Sequence, residues 1–183
     1  VKCIAVDGTT ATLSWSDVSD DDISYFVVEC KQSDGVWKSV SRTSTNLGVN
    51  LSGLTPEHDY VYRVIGYDKR SNRGTPSEEI TVTTLKDTIC PKVTKITPDP
   101  GYFKSEINLR FTAEDDYRVK SIEIQTSTDK ESWKTVSEIK ATGESAKCTF
   151  DCKLDLKNYE EGSVFVRAKV YDSYGNVTED KDL

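Results

Sequence analysis

At 183 residues the chain is long enough for one large domain or two of about 90, and small β-sandwiches run to roughly 100 residues each. Its charge of −7 divides evenly: residues 1–85 carry 8 basic and 12 acidic side chains, and residues 86–183 carry 16 and 19. Neither half has the basic excess that phosphate backbones require, which argues against nucleic acid as a partner, and no apolar run approaches the ~20 residues of a membrane span.

Helical periodicity is missing. Short alternating runs rich in Val, Ile, Thr and aromatics recur between Gly, Asp, Asn and Ser clusters, the pattern of an all-β sandwich. In chain order they predict strands near 2–6, 11–16, 24–31, 36–42, 47–53, 59–68 and 76–84, then near 92–97, 106–114, 119–127, 133–138, 147–156, 163–172 and 176–182. The two sets share landmarks. Ser33-Asp34-Gly35-Val36-Trp37 is echoed by the turn 127–132 leading into Trp133, and Tyr67-Asp68 with Asn72 is echoed by Tyr171-Asp172 with Asn176. The expectation is a duplicated architecture, two tandem antiparallel β-sandwiches over residues 1–85 and 86–183. The short, glycine-free junction at 85–88 predicts a stiff end-to-end stack. With no Met and a start at Val1 inside a strand pattern, the chain reads as a piece of a longer polypeptide.

Five cysteines is an odd number, so at least one is free or pairs between chains. Cys148 and Cys152 alternate with polar residues along one strand and face its buried side, ~13 Å apart, too far for a disulfide. They read as small core hydrophobes. Cys3 and Cys30 fall on strands of opposite sheets where a cross-core bridge is conceivable, and Cys90 before Pro91 has no evident mate.

The first half resembles a fibronectin type III domain. The likeness is carried by Ala11-Thr12-Leu13-Ser14-Trp15 as strand B, by Phe26 and Val28 on strand C, and above all by Leu54-Thr55-Pro56-Glu57-His58-Asp59-Tyr60. The last matches the tyrosine corner, in which a Tyr hydroxyl is tied to backbone a few residues upstream. Residues 67–77 are similar to the F–G hairpin of type III modules in bacterial extracellular proteins. The second half resembles bacterial immunoglobulin-like repeats, through Thr112-Ala113-Glu114-Asp115-Asp116, Val119 to Ile124, and the run from Glu161 to Asn176. It lacks the strand B and strand F cysteines of antibody domains.

Catalysis needs converging groups, and the one histidine, His58, sits in a turn. With no phosphate loop, nucleophile elbow or His/Cys metal spacing, the expectation is no enzyme and no catalytic residue. Loop oxygens suit a hard cation: Asp87, Asp115, Asp116, Asp172 and Asn176 are candidates for a Ca²⁺ site at the domain junction, against the alternative of solvated turn acids. The run Ser19-Asp20-Asp21-Asp22 reads as an exposed loop. Among Tyr25, Tyr102, Phe103, Tyr117 and Tyr174, the pair Tyr117 and Tyr174 shares one pole of the second domain and is the candidate binding pair. Asn50-Leu51-Ser52 and Asn176-Val177-Thr178 are N-glycosylation triplets, meaningful in a eukaryotic secretory pathway; the bacterial character of the hairpins argues against one.

The sequence thus predicts a non-catalytic spacer within a larger bacterial extracellular or cell-surface protein, whose partners are its neighbouring domains. A glycan- or protein-binding adhesion module, or an accessory segment of a secreted carbohydrate-active enzyme, is the alternative.

Overall fold

The computed structural model describes residues 1–16, 22–44 and 46–180. The chain divides into two compact units, Val1–Asp87 and Thr88–Leu183. The first holds β1 (Lys2–Val6), β2 (Thr10–Ser14), β3 (Ile23–Lys31), β4 (Trp37–Thr43), β5 (Gly48–Ser52), β6 (Asp59–Asp68) and β7 (Ile80–Thr83). They form a three-stranded sheet, β1-β2-β5, and a four-stranded sheet, β4-β3-β6-β7, antiparallel throughout.

The alternation read from the sequence becomes the core of this unit. On β2, Ala11 and Leu13 are buried while Thr10, Thr12 and Ser14 are half-buried; on β3, Phe26, Val28 and Cys30 turn inward. Facing them are Leu51, Tyr62, Val64 and Val82, and Trp15 meets Phe26 edge-on at 5.6 Å between ring centroids. Period-two strands allow this because each sheet gives one face to the core and one to solvent. The corner is present: the Thr55 amide donates to the Tyr60 hydroxyl at 2.8 Å, fixing the turn before β6. Gly8 is needed for close approach, since a Cβ there would stand 3.2 Å from Asp87 Cα.

The second unit holds β8 (Lys92–Thr97), β9 (Glu106–Ser127), β10 (Lys134–Asp155), β11 (Phe165–Asp172) and β12 (Val177–Asp180). Here the sequence reading is corrected. The runs 106–114 and 119–127 form one 22-residue strand, as do 133–138 and 147–156. The first half of β9 pairs with β8 and the second half of β10; its second half pairs with β11 and the first half of β10. The pairing of β9 with β10 shifts register at 140–147, so both strands turn the corner from one layer to the other without a break. The five strands form one continuous sheet, and counting β9 and β10 by halves gives three segments and four, as in the first unit, around a core that includes Leu109, Phe111, Ile122, Ile124, Phe150, Leu154, Ala168 and Val170. Cys152 is buried in it and Cys148 packs against it, on the expected face.

Candidate functional site

The hairpins that leave the last long strand of each unit are closed in the same way. In the first, Asp68 Oδ1 accepts from the Arg70 and Asn72 amides at 2.8 Å each, and Oδ2 from Asn72 Nδ2 at 2.7 Å. The Asn72 bonds hold the Asp68 carboxyl below the ordinary carboxylate range. The second unit repeats the clasp: Asp172 Oδ1 accepts from the Tyr174 and Asn176 amides at 2.8 Å, and Oδ2 from Asn176 Nδ2 at 2.6 Å. Turn chemistry accounts for the acid-to-amide spacing in both, because a carboxylate at the start of a loop closes it on its own backbone. The spacing therefore carries no information about the organism.

The environments differ. Asp68 is half-buried, whereas Asp172 has no exposed surface. The second hairpin is tied to the corner of β9 by the Ser173 amide, which donates to the Arg118 carbonyl at 3.1 Å; the first unit makes the matching bond from Lys69 to Asp22, also 3.1 Å. At that corner Asp115 Oδ2 accepts from the Tyr117 and Arg118 amides at 3.2 and 3.1 Å. A carboxylate oxygen of Asp115 comes within 4.8 Å of one of Asp172. Asp116 is exposed on the same corner, and Asp87 is buried as the last residue of the first unit. Of the five expected cation ligands, the fold of the second unit brings Asp115, Asp172 and Asn176 together. Two carboxylates and an amide oxygen are donors of the kind Ca²⁺ takes, although the Asn176 nitrogen and both neighbouring amides already spend three bonds on Asp172.

Tyr117 and Tyr174 stand on these same two loops, 5.8 Å apart between centroids and tilted by 53°. The Arg118 guanidinium lies 4.6 Å from the Tyr117 ring and pairs with Glu144 at 3.0 Å. Both tyrosines are half-buried. The other expected aromatics scatter: Tyr25 stacks on Tyr67 at 4.8 Å in the first unit, while Tyr102 is fully exposed and Phe103 is 40 % exposed beside an apolar groove of about 680 Å³ in the second. His58 is exposed, edge-on to Tyr60. All five cysteines are free thiols, so the Cys3–Cys30 bridge is not formed. The run 19–22 lies outside the described residues except for Asp22, which is exposed and 3.6 Å from the Lys69 amine.

A feature the sequence reading missed lies on the outer faces of the larger layers. Arg63 stacks 3.9 Å from the Trp37 ring and bonds Glu29 at 2.6 Å; Arg42 sits 3.6 Å from the Tyr25 ring. In the second unit Arg167 stacks 4.4 Å from Trp133 and donates to Gln125 Oε1 at 2.7 Å. The two tryptophans are sequence landmarks, while Arg63 and Arg167 reach them from positions opposite Glu29 and Gln125 in register.

Two antiparallel units with a shared three-plus-four strand plan define a tandem β-sandwich protein. Residues 1–83 match the fibronectin type III domain model. Among solved structures it is similar to a two-domain fibronectin type III segment of chicken tenascin (14 % identity, 98 % of this chain and 94 % of that one, TM-score 0.44). A domain of human fibronectin type III domain containing protein 3 is 24 % identical over 48 % of this chain and 83 % of its own, with TM-score 0.43. The fibronectin(III)-like modules of Clostridium thermocellum CbhA are 15 % identical over 95 % and 83 %, with TM-score 0.36. No curated protein matches the chain.

Proposed function

We propose that the chain is a non-catalytic spacer, a fibronectin type III domain followed by a second sandwich of immunoglobulin-like type, in a larger extracellular or cell-surface protein. The observation that carries this is the use to which the polar loop residues are put. The carboxylates of both hairpins accept hydrogen bonds from their own turns, and the arginines of both outer faces stack on tryptophan, so the polar chemistry serves shape. A bacterial parent is supported only by the resemblance of residues 67–77 to accessory modules. Distances between spin labels, one on each unit, test the proposal: a spacer gives one narrow distribution, and a broad one refutes it.

The pairing of Tyr117 with Tyr174 favours a second reading, a glycan- or protein-binding pole. Glycan-array binding lost in Tyr117→Ala and Tyr174→Ala would replace the first reading with this one. The same pole is where we place Ca²⁺, held by Asp115, Asp172 and Asn176 with Asp116 next to Asp115 in the chain. A cation bound only to the folded chain raises the melting midpoint by mass action. A midpoint equal in millimolar Ca²⁺ and in EDTA removes it.

A further inference from the structure

The chain holds two Asn-x-Ser/Thr triplets, and the fold treats their acceptor amides in opposite ways. Asn176 Nδ2 is part of the hairpin clasp, donating to the fully buried Asp172. A sugar on that nitrogen replaces one of its two hydrogens, so it must share the nitrogen with the bond to a carboxylate that has no exposed surface. Asn50 stands instead on β5, the end strand of the β1-β2-β5 sheet, and is exposed. Opposite it in register is Thr12, whose hydroxyl donates to Asn50 Oδ1 at 2.9 Å. That bond is made through the oxygen, so it orients the carboxamide without consuming the nitrogen. Strand alternation does the rest: Leu51 turns into the core, and Asn50 and Ser52 emerge together on the outer face.

Asn50 also lines a shallow recess of about 400 Å³, shared with Ile4, Thr12, Arg42 and Asn46. Ile4 is an apolar side chain left 58 % exposed there, among polar neighbours. A pyranose ring, with a C–H face and a hydroxyl rim, matches that mixture.

We infer that Asn50 is an acceptor site for an N-linked glycan and that Asn176 is not. The inference rests on the extracellular reading together with a eukaryotic parent in place of the bacterial one, because the modification at these triplets belongs to a eukaryotic secretory pathway. The donor is a lipid-pyrophosphate-linked oligosaccharide. Asn50 Nδ2 forms a bond to the anomeric carbon, the bond from that carbon to the pyrophosphate oxygen breaks with its electron pair leaving on the lipid pyrophosphate, and one Nδ2 proton passes to a base of the transferase. No oxidant or reductant is involved. The attached glycan covers Ile4 and shields the outer edge of β5, a position where an end strand otherwise invites pairing with another chain.

The full chain, secreted from a eukaryotic cell line behind a supplied signal sequence, is weighed intact before and after peptide N-glycosidase. One enzyme-sensitive glycan is expected, abolished in Asn50→Gln and separately in Ser52→Ala, and kept in Thr178→Ala, which destroys the second triplet without touching the Asn176 amide. Secreted chain that carries no glycan, or a glycan that survives Asn50→Gln, overturns the inference. Because the signal sequence is supplied, failure here leaves the extracellular reading intact; locating the parent protein by surface labelling tests that separately.

Discussion

Removing the Asp172 carboxylate measures how much of the second sandwich depends on its hairpin clasp. Asp172→Ala strips the Tyr174 and Asn176 amides and Asn176 Nδ2 of their acceptor at a position with no exposed surface. A buried donor left unmade costs about 1–3 kcal/mol, and because these three are part-buried and water reaches them on relaxation their costs do not add fully, so about 3 kcal/mol is expected. At ~4–8 °C per kcal/mol for a domain of this size, the midpoint of the second unit falls by roughly 12–24 °C. Asp68→Ala removes the same three bonds in the first unit, but at a half-exposed site where water takes the carboxylate's place, so a much smaller fall is expected. Thermal melting followed by circular dichroism in EDTA is the assay, since the chelator removes any contribution from bound cation. Equal falls for the two variants, or a fall below about 4 °C in Asp172→Ala, would show that burial does not set the cost of the clasp.

Tyr60→Phe leaves the Thr55 amide without its acceptor and is expected to lower the stability of the first unit by about 1–2 kcal/mol, read from urea unfolding. A change within about 0.5 kcal/mol would mean the corner is held by packing alone. Glu123 accepts from Thr135, Gln125 and Tyr171, with the Thr135 bond the main cause that holds its carboxyl below the ordinary 4.5. Its contribution to stability is therefore full above pH 4.5 and is lost as the pH falls through its lower folded value; Glu123→Gln is expected to flatten the urea midpoint over that acid range. Burial pushes the Cys30 and Cys152 thiols up, so alkylation at pH 8 is expected to reach exposed Cys90 first and those two only on unfolding, read by peptide mass mapping.

The strands of the first unit were legible because each is bounded by its own turn and carries its own alternation. The tyrosine corner was legible for a similar reason: its donor and acceptor, Thr55 and Tyr60, are five residues apart. The second unit departs from this at its two long strands. Residues 115–118 and 139–146 read as loops because they break the apolar period, yet the chain runs on through both as strand. Paired residues carry the ladder past both segments, Glu114 with Lys147, Val119 with Ser145 and Ser121 with Lys140, and it steps across an irregularity between them that no local pattern records.

At the candidate site the division is similar. Sequence alone determined that Asp172 and Asn176 flank a tight turn, since a carboxylate and an amide four residues apart close a loop on its own backbone wherever it sits. Only the tertiary structure decided that this clasp would be wholly buried while its twin at Asp68 stays half-exposed, that the corner of β9 would carry Asp115 and Tyr117 up to it, and that Asn50 would face outward on an end strand. Those outcomes depend on which segments, distant along the chain, pack against one another. Burial and approach are properties of that packing, and a local sequence pattern reports only the half of each contact that it contains.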